Sequence, residues 1–358
     1  MLIVRCNLKD TQEADYTPQC GKPSWHPFSF CDGVCDTMIT IYRETDGWIQ
    51  ATGSWEPGSW IHVEGSDEAE IEQIHERITV PRNFTRAALD PREVARTSSS
   101  DDSHLVIVRA PYDFGESDRV PFRTVPLGII STPDYFITIC RKPIDFVRDL
   151  NQSYEDDDLP THRAGRMILA ILGVVAEWYL LYIEEIDQRL EDVENRLKDS
   201  IENSEMLELL RYEKSLMLIK TGLEWNVTMV EHLQGKEHFG WDAADKELFE
   251  DVLIEYRQGF HMAATLLEVL ESTTDAFASL ISNNLNVVMK FMTAVTIVLT
   301  MPMLVASIYG MNVALPGESN PALFVVVMLV AAALAFLVAA WFHRRGWLSF
   351  RWRKPTQR

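Results

Sequence analysis

Two uncharged stretches near the carboxyl end of the chain decide the fold. They are "FMTAVTIVLTMPMLVASIYGM", residues 291–311, and "ALFVVVMLVAAALAFLVAAWF", residues 322–342. Each would form an α-helix of about 31 Å, which matches the hydrocarbon thickness of a bilayer. The sequence therefore predicts two transmembrane helices joined by an extracytoplasmic loop at residues 312–321.

Positive charge lies on the outer sides of this predicted hairpin. Lys290 precedes the first stretch, and the basic tail, residues 343–358, holds six Arg and Lys side chains and no acid. The connecting loop carries only one acid, Glu318. Because cytoplasmic flanks of membrane helices are enriched in positive residues, we expect a multi-pass protein of the cell membrane (plasma or inner) with both termini in the cytoplasm.

A third apolar stretch, residues 167–183, is interrupted by Glu177 and has charged residues on both sides. A carboxylate inside a membrane helix is costly. We therefore expect this stretch to form a buried helix of the soluble part instead of a third span.

The formal net charge of the chain is −20, although the basic tail is positive. Such an acidic body would repel phosphates, which argues against a nucleic-acid partner and fits the binding of cations. A solvated acidic surface is the simpler explanation for most of these carboxylates. The amino terminus lacks the uninterrupted apolar core of a signal peptide, so we expect no cleaved signal.

Four of the five cysteines lie in the first 35 residues. The spacing of Cys20, Cys31 and Cys35, with His26 between the first two, could form a zinc site. Because the repeated C-x2-C pair of many zinc sites is absent, we favour reduced cytosolic thiols.

Proline usage divides the soluble part of the chain. Twelve of the sixteen prolines lie at or before Pro160, and the next is Pro302, so residues 161–290 are predicted to be a helical bundle and stalk helix. Residues 38–160 instead alternate strand-like runs with helical stretches such as "AEIEQIHERI". The strand-like runs are "MITIYRE", "GWIQA", "SWIHVEG", "HLVIVRAPY" and "RTVPLGIISTPDYFITIC". They predict an α/β domain, in which "SSSDDS", residues 98–103, reads as a solvated loop.

Two long helices are expected in the helical part. The first carries an apolar stripe for packing against another helix, at spacings of three and four: Ile183, Ile186, Leu190, Val193 and Leu197. The second begins near Asp242 and could continue into the first predicted span without a breaker as far as Pro302, and to Tyr309 if Pro302 does not interrupt it. It would be roughly 100 Å long.

A polar stripe follows the first predicted span and its approach, at steps of three and four. Its members are Asn286, Met289, Thr293, Thr296, Thr300, Met303 and Ser307. This spacing places them on one face of a helix. Several copies of the chain around an axis could enclose a pore lined by this stripe, with the second helix facing lipid. The alternative is that the hydroxyls bond to backbone carbonyls or hold helices together.

The pentapeptide "IYGMN", residues 308–312, resembles the signature of the CorA family of magnesium transporters. Other segments resemble that family too, namely "SWIHVEG", "RYEKSLMLIKTGLEWN", "LFEDVLIEY", "SNNLNVVMK" and "HRRGWLSFRWRK". The resemblance covers the chain from about residue 38 to its end and leaves residues 1–37 as an amino-terminal extension. It implies a funnel-shaped homopentamer with an α/β cytosolic domain, a long stalk helix that becomes the pore-lining span, and an outer helix.

The resemblance also implies roles for residues at the mouth of the pore. It assigns the first ion site, a selectivity loop, to Asn312, with Gly310 allowing a tight backbone and Tyr309 and Met311 shaping the loop. A neutral amide suits this task because it accepts hydrogen bonds from the waters of a hydrated ion without holding the ion too firmly. Glu318 would concentrate cations at the mouth.

Cytosolic acids that bind Mg²⁺ between subunits close the family's channel. Segment matching points to Asp251 in "LFEDV" and Asp90 in "AALDPRE" as regulatory ligands. The chain departs from the common pattern at Leu89, where many relatives carry a second acid.

The sequence therefore predicts channel-like transport of hydrated Mg²⁺, with Co²⁺ and Ni²⁺ as secondary substrates, driven by the electrochemical gradient and closed by cytosolic Mg²⁺. A Zn²⁺ transporter of the same fold and a membrane-anchored helical scaffold remain alternatives. We expect no enzyme and no organic cofactor, because His232 and His261 have no partner at metal-ligand spacing and the chain contains no phosphate-binding loop.

Overall fold

The computed structural model describes residues 38–45, 48–52, 54–65, 68–144, 146–153, 163–199, 203–236, 239, 241–311 and 321–348. The predictions for Asn312, Glu318, the amino-terminal cysteines and the end of the basic tail lie outside these residues. The chain forms two compact units. Unit 1 comprises Met1–Leu190 and Leu210–Leu267, and unit 2 comprises Glu191–Leu209 and Glu268–Arg358.

Unit 1 contains a seven-stranded mixed sheet. Its strands are β1 (Met38–Thr45), β2 (Trp48–Thr52), β3 (Trp60–Glu64), β4 (Arg96–Ser100), β5 (Ser103–Asp113), β6 (Phe122–Ser131) and β7 (Phe136–Cys140). Their order across the sheet is β2-β1-β3-β7-β6-β5-β4. Only the pairing of β3 with β7 is parallel among these strands.

Seven helices accompany the sheet in the described residues. They are α1 (Glu68–Arg77), α2 (Arg82–Leu89), α3 (Phe146–Ser153), α4 (Ala164–Asp199), α5 (Asn203–Gln234), α6 (Ala243–Tyr309) and α7 (Pro321–Arg344). The expected strand runs, the helix near residues 69–78 and the long helices are therefore confirmed.

Alternation along β3 shows how the sheet is covered. Ile61 and Val63 belong to the core that the sheet shares with α1 and α2. Trp60 and His62 point to the opposite side, where their rings lie 5.6 and 5.0 Å from that of Phe146 in α3. Both faces of this strand are therefore buried, and the His62 ring is packed between aromatic neighbours on one of them.

The prediction for "SSSDDS" was wrong. Ser98 and Ser100 belong to β4 and Ser103 begins β5, so only Asp101 and Asp102 form the turn of a hairpin. Since β4 is the last strand of the sheet, its small polar side chains stay at least partly exposed while its backbone pairs with β5.

Helix α6 is unbroken over 67 residues, with Pro302 inside it. A reciprocal capping arrangement starts it: the Asp245 N–H donates to Asp242 Oδ1 (2.8 Å), and the Asp242 N–H donates to Asp245 Oδ2 (3.0 Å). Arg163, just before α4, donates to both carboxylates at 2.8 and 2.6 Å. This ion pair ties the start of α4 to the start of α6.

The apolar stripe at residues 183–197 is buried throughout its five positions. Residues 167–183 lie in α4, and 72% of the most apolar window of that helix is buried. This stretch is a buried helix, in agreement with the interpretation of its interrupting carboxylate.

Candidate functional site

The predicted polar stripe lies on the carboxyl-terminal half of α6, within unit 2. All seven of its residues, from Asn286 to Ser307, are exposed. The partly or fully covered positions of the same stretch fall on other faces of the helix: Phe291, Ala294, Val295, Ile297, Val298, Met301, Pro302 and Val305. The stripe is therefore the centre of the uncovered side of α6.

The threonine hydroxyls of the stripe bond to the helix backbone. Thr293, Thr296 and Thr300 each donate to the carbonyl four residues earlier, at 2.8, 2.9 and 2.7 Å. This is the hydrogen bond that the alternative interpretation expected. It uses the hydroxyl proton and leaves the oxygen lone pairs as acceptors. The hydroxyls are therefore fixed as acceptors on an exposed face.

The polar stripe begins earlier than sequence reasoning placed it. The same three-and-four spacing continues toward the amino end through Ser282, Ser279 and Asp275, all exposed. Asp275, Ser279, Ser282 and Asn286 are among the residues that line a shallow, open groove on α6. The periodicity that identified the stripe above Asn286 was sufficient to find these residues as well.

At the end of α6, Tyr309, Gly310 and Met311 are exposed, and the Gly310 N–H donates to the carbonyl of Ala306 (2.9 Å). A Cβ added at Gly310 would lie 3.3 Å from that carbonyl oxygen. Glycine therefore allows the helix to end with a closely wound turn. The predicted ion-binding amide of Asn312 follows directly, outside the described residues.

Helix α7 has a narrow covered stripe and a wide exposed surface. The covered stripe follows the helical repeat with mostly small or medium side chains: Leu323, Val327, Ala331, Ala335, Val338 and Phe342. The large apolar side chains of Phe324, Leu329, Phe336 and Leu337 are exposed. Such a surface is stable only against lipid or another apolar surface.

The candidate regulatory residue Asp90 lies directly after α2. Its carboxylate is exposed, and Asp90 Oδ1 accepts a hydrogen bond from the Arg92 N–H (3.0 Å). The neighbouring Leu89 packs against the core below α1 and α2. Position 89 therefore contributes an apolar side chain to the core and no carboxylate beside Asp90.

A buried arginine holds the loop that follows Asp90. Arg109 of β5 donates through one guanidinium nitrogen to the carbonyls of Pro91 and Glu93, both at 3.0 Å. Its remaining nitrogens donate to the hydroxyl and carbonyl of Thr124. Burial lowers the pKa of the guanidinium below its ordinary value. The charge is satisfied by carbonyl and hydroxyl dipoles.

The backbone of Arg109 is itself held by α4 and α5. Asn226 accepts from the Arg109 N–H (2.9 Å) and donates to its carbonyl (2.8 Å), and the Tyr179 hydroxyl donates to the same carbonyl (2.9 Å). A Cβ at Gly222 would lie 2.6 Å from that hydroxyl oxygen. Within "TGLEWN", Gly222 therefore allows α5 to approach the Tyr179 hydroxyl closely, and the amide of Asn226 bonds α5 to the backbone of β5.

Sequence reasoning missed Arg109. A single arginine within the apolar strand "HLVIVRAPY" was the available signal, because a buried charge requires partners. Its connection to Asn226 spans 117 positions and could not be read from spacing.

The second regulatory candidate, Asp251, is exposed on the unit 1 part of α6. Burial raises the pKa of the nearby Glu255 carboxyl, and the charges of Glu177 and Asp251 raise it further. Among the described residues, no three His, Cys, Asp or Glu side chains are grouped to hold a metal ion. One copy of the described chain therefore does not provide a complete carboxylate cage.

These features define a class of protein: a membrane protein with a soluble α/β part and an apolar helix that carries an exposed polar stripe, the construction of an ion transporter. The model of the CorA-like Mg²⁺ transporter protein family matches residues 56–344, and the chain belongs to that family. It is thus a membrane transporter of divalent cations and not an enzyme, which confirms these predictions.

Two relatives show the extent of the similarity. The chain is 28% identical over 293 residues to the "Cobalt/magnesium transport protein CorA" of Methanocaldococcus jannaschii, covering 81% of this chain and 91% of that protein. It is 23% identical over 198 residues to the protein of the same name from Thermotoga maritima, covering 52% and 53% of the two chains.

Solved structures confirm the α/β unit and long helices of the predicted fold. The complete CorA magnesium transporter structure from Methanocaldococcus jannaschii matches with a TM-score of 0.75 at 25% identity, covering 87% of this chain and 98% of that chain. The ZntB cytoplasmic domain from Vibrio parahaemolyticus matches with a TM-score of 0.52 at 14% identity, covering 70% and 98%. The latter similarity concerns the fold alone.

Proposed function

We propose that this protein conducts hydrated Mg²⁺ across the cell membrane through a pore lined by the polar stripe of α6, in a homopentamer. The observation that supports the proposal most strongly is that every stripe residue from Asn286 to Ser307 is exposed while the opposite side of the helix is covered. In the proposed assembly, α6 lies around the axis and the large apolar side chains of α7 face lipid. Both termini lie in the cytoplasm.

The threonine geometry suits a hydrated cation. Mg²⁺ sheds its waters reluctantly, so it presents water protons to its surroundings. The hydroxyl protons of Thr293, Thr296 and Thr300 are donated to backbone carbonyls, so the hydroxyl oxygens are available as hydrogen-bond acceptors. They can accept hydrogen bonds from the hydration shell without displacing it. Met289 and Met303 lie on either side of the three threonines as weakly interacting positions. Met289 forms an apolar constriction that closes by dewetting.

The ion moves down its electrochemical gradient. An inside-negative potential contributes about 4.6 kcal/mol per divalent ion for each 100 mV, so no nucleotide hydrolysis is required. At the mouth, Asn312 binds the hydrated ion, Tyr309, Gly310 and Met311 shape the loop, and Glu318 attracts cations. Family resemblance supports these assignments.

Cytosolic Mg²⁺ closes the pore by bridging carboxylates of neighbouring subunits, with Asp90 and Asp251 as ligands. Both residues are exposed, and neither belongs to a metal-binding group within the described part of one chain. A ligand shared between subunits therefore fits their placement. With the ion bound the subunits are held together, and without it the carboxylates repel each other.

The deciding experiment is reconstitution in liposomes that contain a Mg²⁺-sensitive dye. We expect a potential-driven signal from the native chain and a loss of most of it in Asn312→Ala. Asn320→Ala removes the same amide from the same connecting loop and should retain native flux. Equal flux from all three proteins would contradict the proposed role of Asn312.

The same assay separates the alternatives. A Zn²⁺ signal without a Mg²⁺ signal would identify a zinc transporter, and Co²⁺ and Ni²⁺ can be compared in the same vesicles. Absence of flux for every divalent ion from well-inserted native protein would favour the helical scaffold. For regulation, Asp251→Ala should keep conducting at internal Mg²⁺ that closes the native protein, whereas Glu250→Ala should not.

A further inference from the structure

Helix α7 ends in a defined turn directly after its apolar stretch. Gly346 adopts a positive φ of 75°, its N–H donates to the carbonyl of His343 (3.0 Å), and the Trp347 N–H donates to that of Phe342 (3.0 Å). The rings of Phe342 and Trp347 lie 5.3 Å apart. This is a Schellman motif with its usual apolar contact, and it requires the positive φ that glycine readily adopts.

The turn gathers two indoles and two guanidinium groups, here called the collar: Trp341, Arg344, Arg345 and Trp347. The Arg345 guanidinium carbon lies 5.1 Å from the centroid of the Trp341 ring, within the range of a cation–π interaction. Arg344 and Arg345 are exposed, and 53% of the Trp341 surface remains accessible. The capped helix end therefore holds cations beside an aromatic surface.

No acid balances these cations in the described residues. Neither Arg344 nor Arg345 has a carboxylate within ion-pair distance there. The sequence contains no Asp or Glu after Glu318. In a chain with a net charge of −20, this end of α7 is therefore a cationic surface that is open to an anion from outside the chain.

We propose that the collar binds the phosphate of an anionic phospholipid. The inference rests on the proposed membrane span of α7, but not on the ion that is transported or on the orientation of the helix. A guanidinium binds phosphate oxygens with directed hydrogen bonds. Indole rings favour the level of the lipid headgroups. The exposed apolar side chains of Phe336 and Leu337, one to two turns before the collar, provide a surface for the acyl chains of the same lipid.

A soluble phosphate would use the arginines but not this apolar surface, and for that reason we commit to a lipid. The bound headgroup would fix the depth of the α7 end in the membrane. The stability of the membrane unit would then depend on the fraction of anionic lipid.

The test uses the full-length protein in phosphatidylcholine vesicles that contain phosphatidylglycerol. Brominated acyl chains of either lipid quench tryptophan fluorescence, so the two quenching curves give the relative association of the lipids. We expect phosphatidylglycerol to be favoured by about fivefold for each collar charge that it contacts. Arg344→Gln combined with Arg345→Gln should abolish this preference.

Two variants distinguish the collar from the overall charge of the tail. Arg351→Gln combined with Arg353→Gln removes the same charge beyond the collar and should keep the preference. Gly346→Pro keeps every positive charge but forbids the positive φ and removes the N–H that donates to His343. It should lose the preference for phosphatidylglycerol. This variant still tests the collar if the double glutamine variant fails to insert into the membrane.

Several outcomes would overturn the inference: equal association of the two lipids with the native protein, equal losses from the two double variants, or an unchanged preference in Gly346→Pro. Loss of the preference on addition of inorganic phosphate at constant ionic strength would indicate a site for free anions. Quenching requires no ion flux, so the two proposals can fail separately. A protein that selects phosphatidylglycerol but transports no divalent ion would contradict the proposed transport and still support lipid binding by the collar.

Discussion

Helix α4 and the pair α6 and α7 are all long and apolar enough to cross a membrane, yet they differ in what covers them. In the most apolar 18-residue segment of each helix, 72% of the residues are buried in α4 and only 6% in α6 and in α7. The partners of polar side chains illustrate the difference between α4 and α7. In α4 the Trp178 indole donates to Asp149 Oδ2 (2.9 Å), and the Tyr179 hydroxyl donates to a carbonyl of β5. The protein supplies partners there, whereas residues 322–340 of α7 contain no polar side chain.

The largest expected effect comes from a matched pair of leucines in α4 and α7. Leu172 is fully buried and Leu329 is 65% exposed. Leu172→Ala should lower the free energy of unfolding by about 2–5 kcal/mol because it leaves a cavity. Leu329→Ala should leave the first thermal transition of the detergent-solubilised protein unchanged. Equal shifts of the two variants would show that both helices are buried to the same extent.

Arg109 extends the comparison to a charge in the buried region. Arg109→Gln leaves the carbonyls of Pro91 and Glu93 without their donor, which should cost about 1–3 kcal/mol. We also expect faster hydrogen exchange at residues 90–96. Arg86→Gln, on the exposed surface of α2, removes the same charge and should alter neither quantity. Unchanged exchange in Arg109→Gln would show that the loop is held by other contacts.

The fold was more predictable than the site because its signals are periodic and local. Apolar strand runs, prolines and uninterrupted helix formers located all strands but β4, whose "RTSSS" has no apolar residue to alternate. Helix α6 followed from the absence of a breaker before Pro302, and it continues through that proline to Tyr309. The polar stripe also followed from periodicity, whereas Arg109 depends on partners in α4, α5 and the loop after α2. Those contacts exist only after the chain has folded.

A smaller effect should separate the two sides of α6. Thr296→Val removes an exposed acceptor of the stripe and keeps the side-chain shape. We expect Mg²⁺ flux to fall roughly threefold to tenfold, as for the loss of about 1 kcal/mol of hydrogen bonding. Val298→Thr adds a hydroxyl on the partly covered side and should keep native flux. Equal flux losses would indicate that the stripe is not the conducting face.

Glu177, the carboxylate that interrupts the apolar run of α4, gives the smallest expected effect. Burial raises the pKa of this carboxyl above its ordinary value of 4.5, and the charge of Asp149 raises it further. The folded state therefore binds the proton more tightly than the unfolded state, and the free energy of unfolding falls as the pH rises from about 4.5 through the raised pKa. Glu177→Gln removes this loss.

The variant should consequently unfold at a slightly higher temperature than the native chain at pH 7.5, with the difference vanishing below pH 4, where Glu177 is protonated in both states. Glu184→Gln removes a charge from the exposed surface of the same helix and controls for the change in net charge. A difference between Glu177→Gln and the native chain that persists at low pH would have to come from packing and not from ionisation. The raised pKa of Glu177 would then make no measurable contribution to stability.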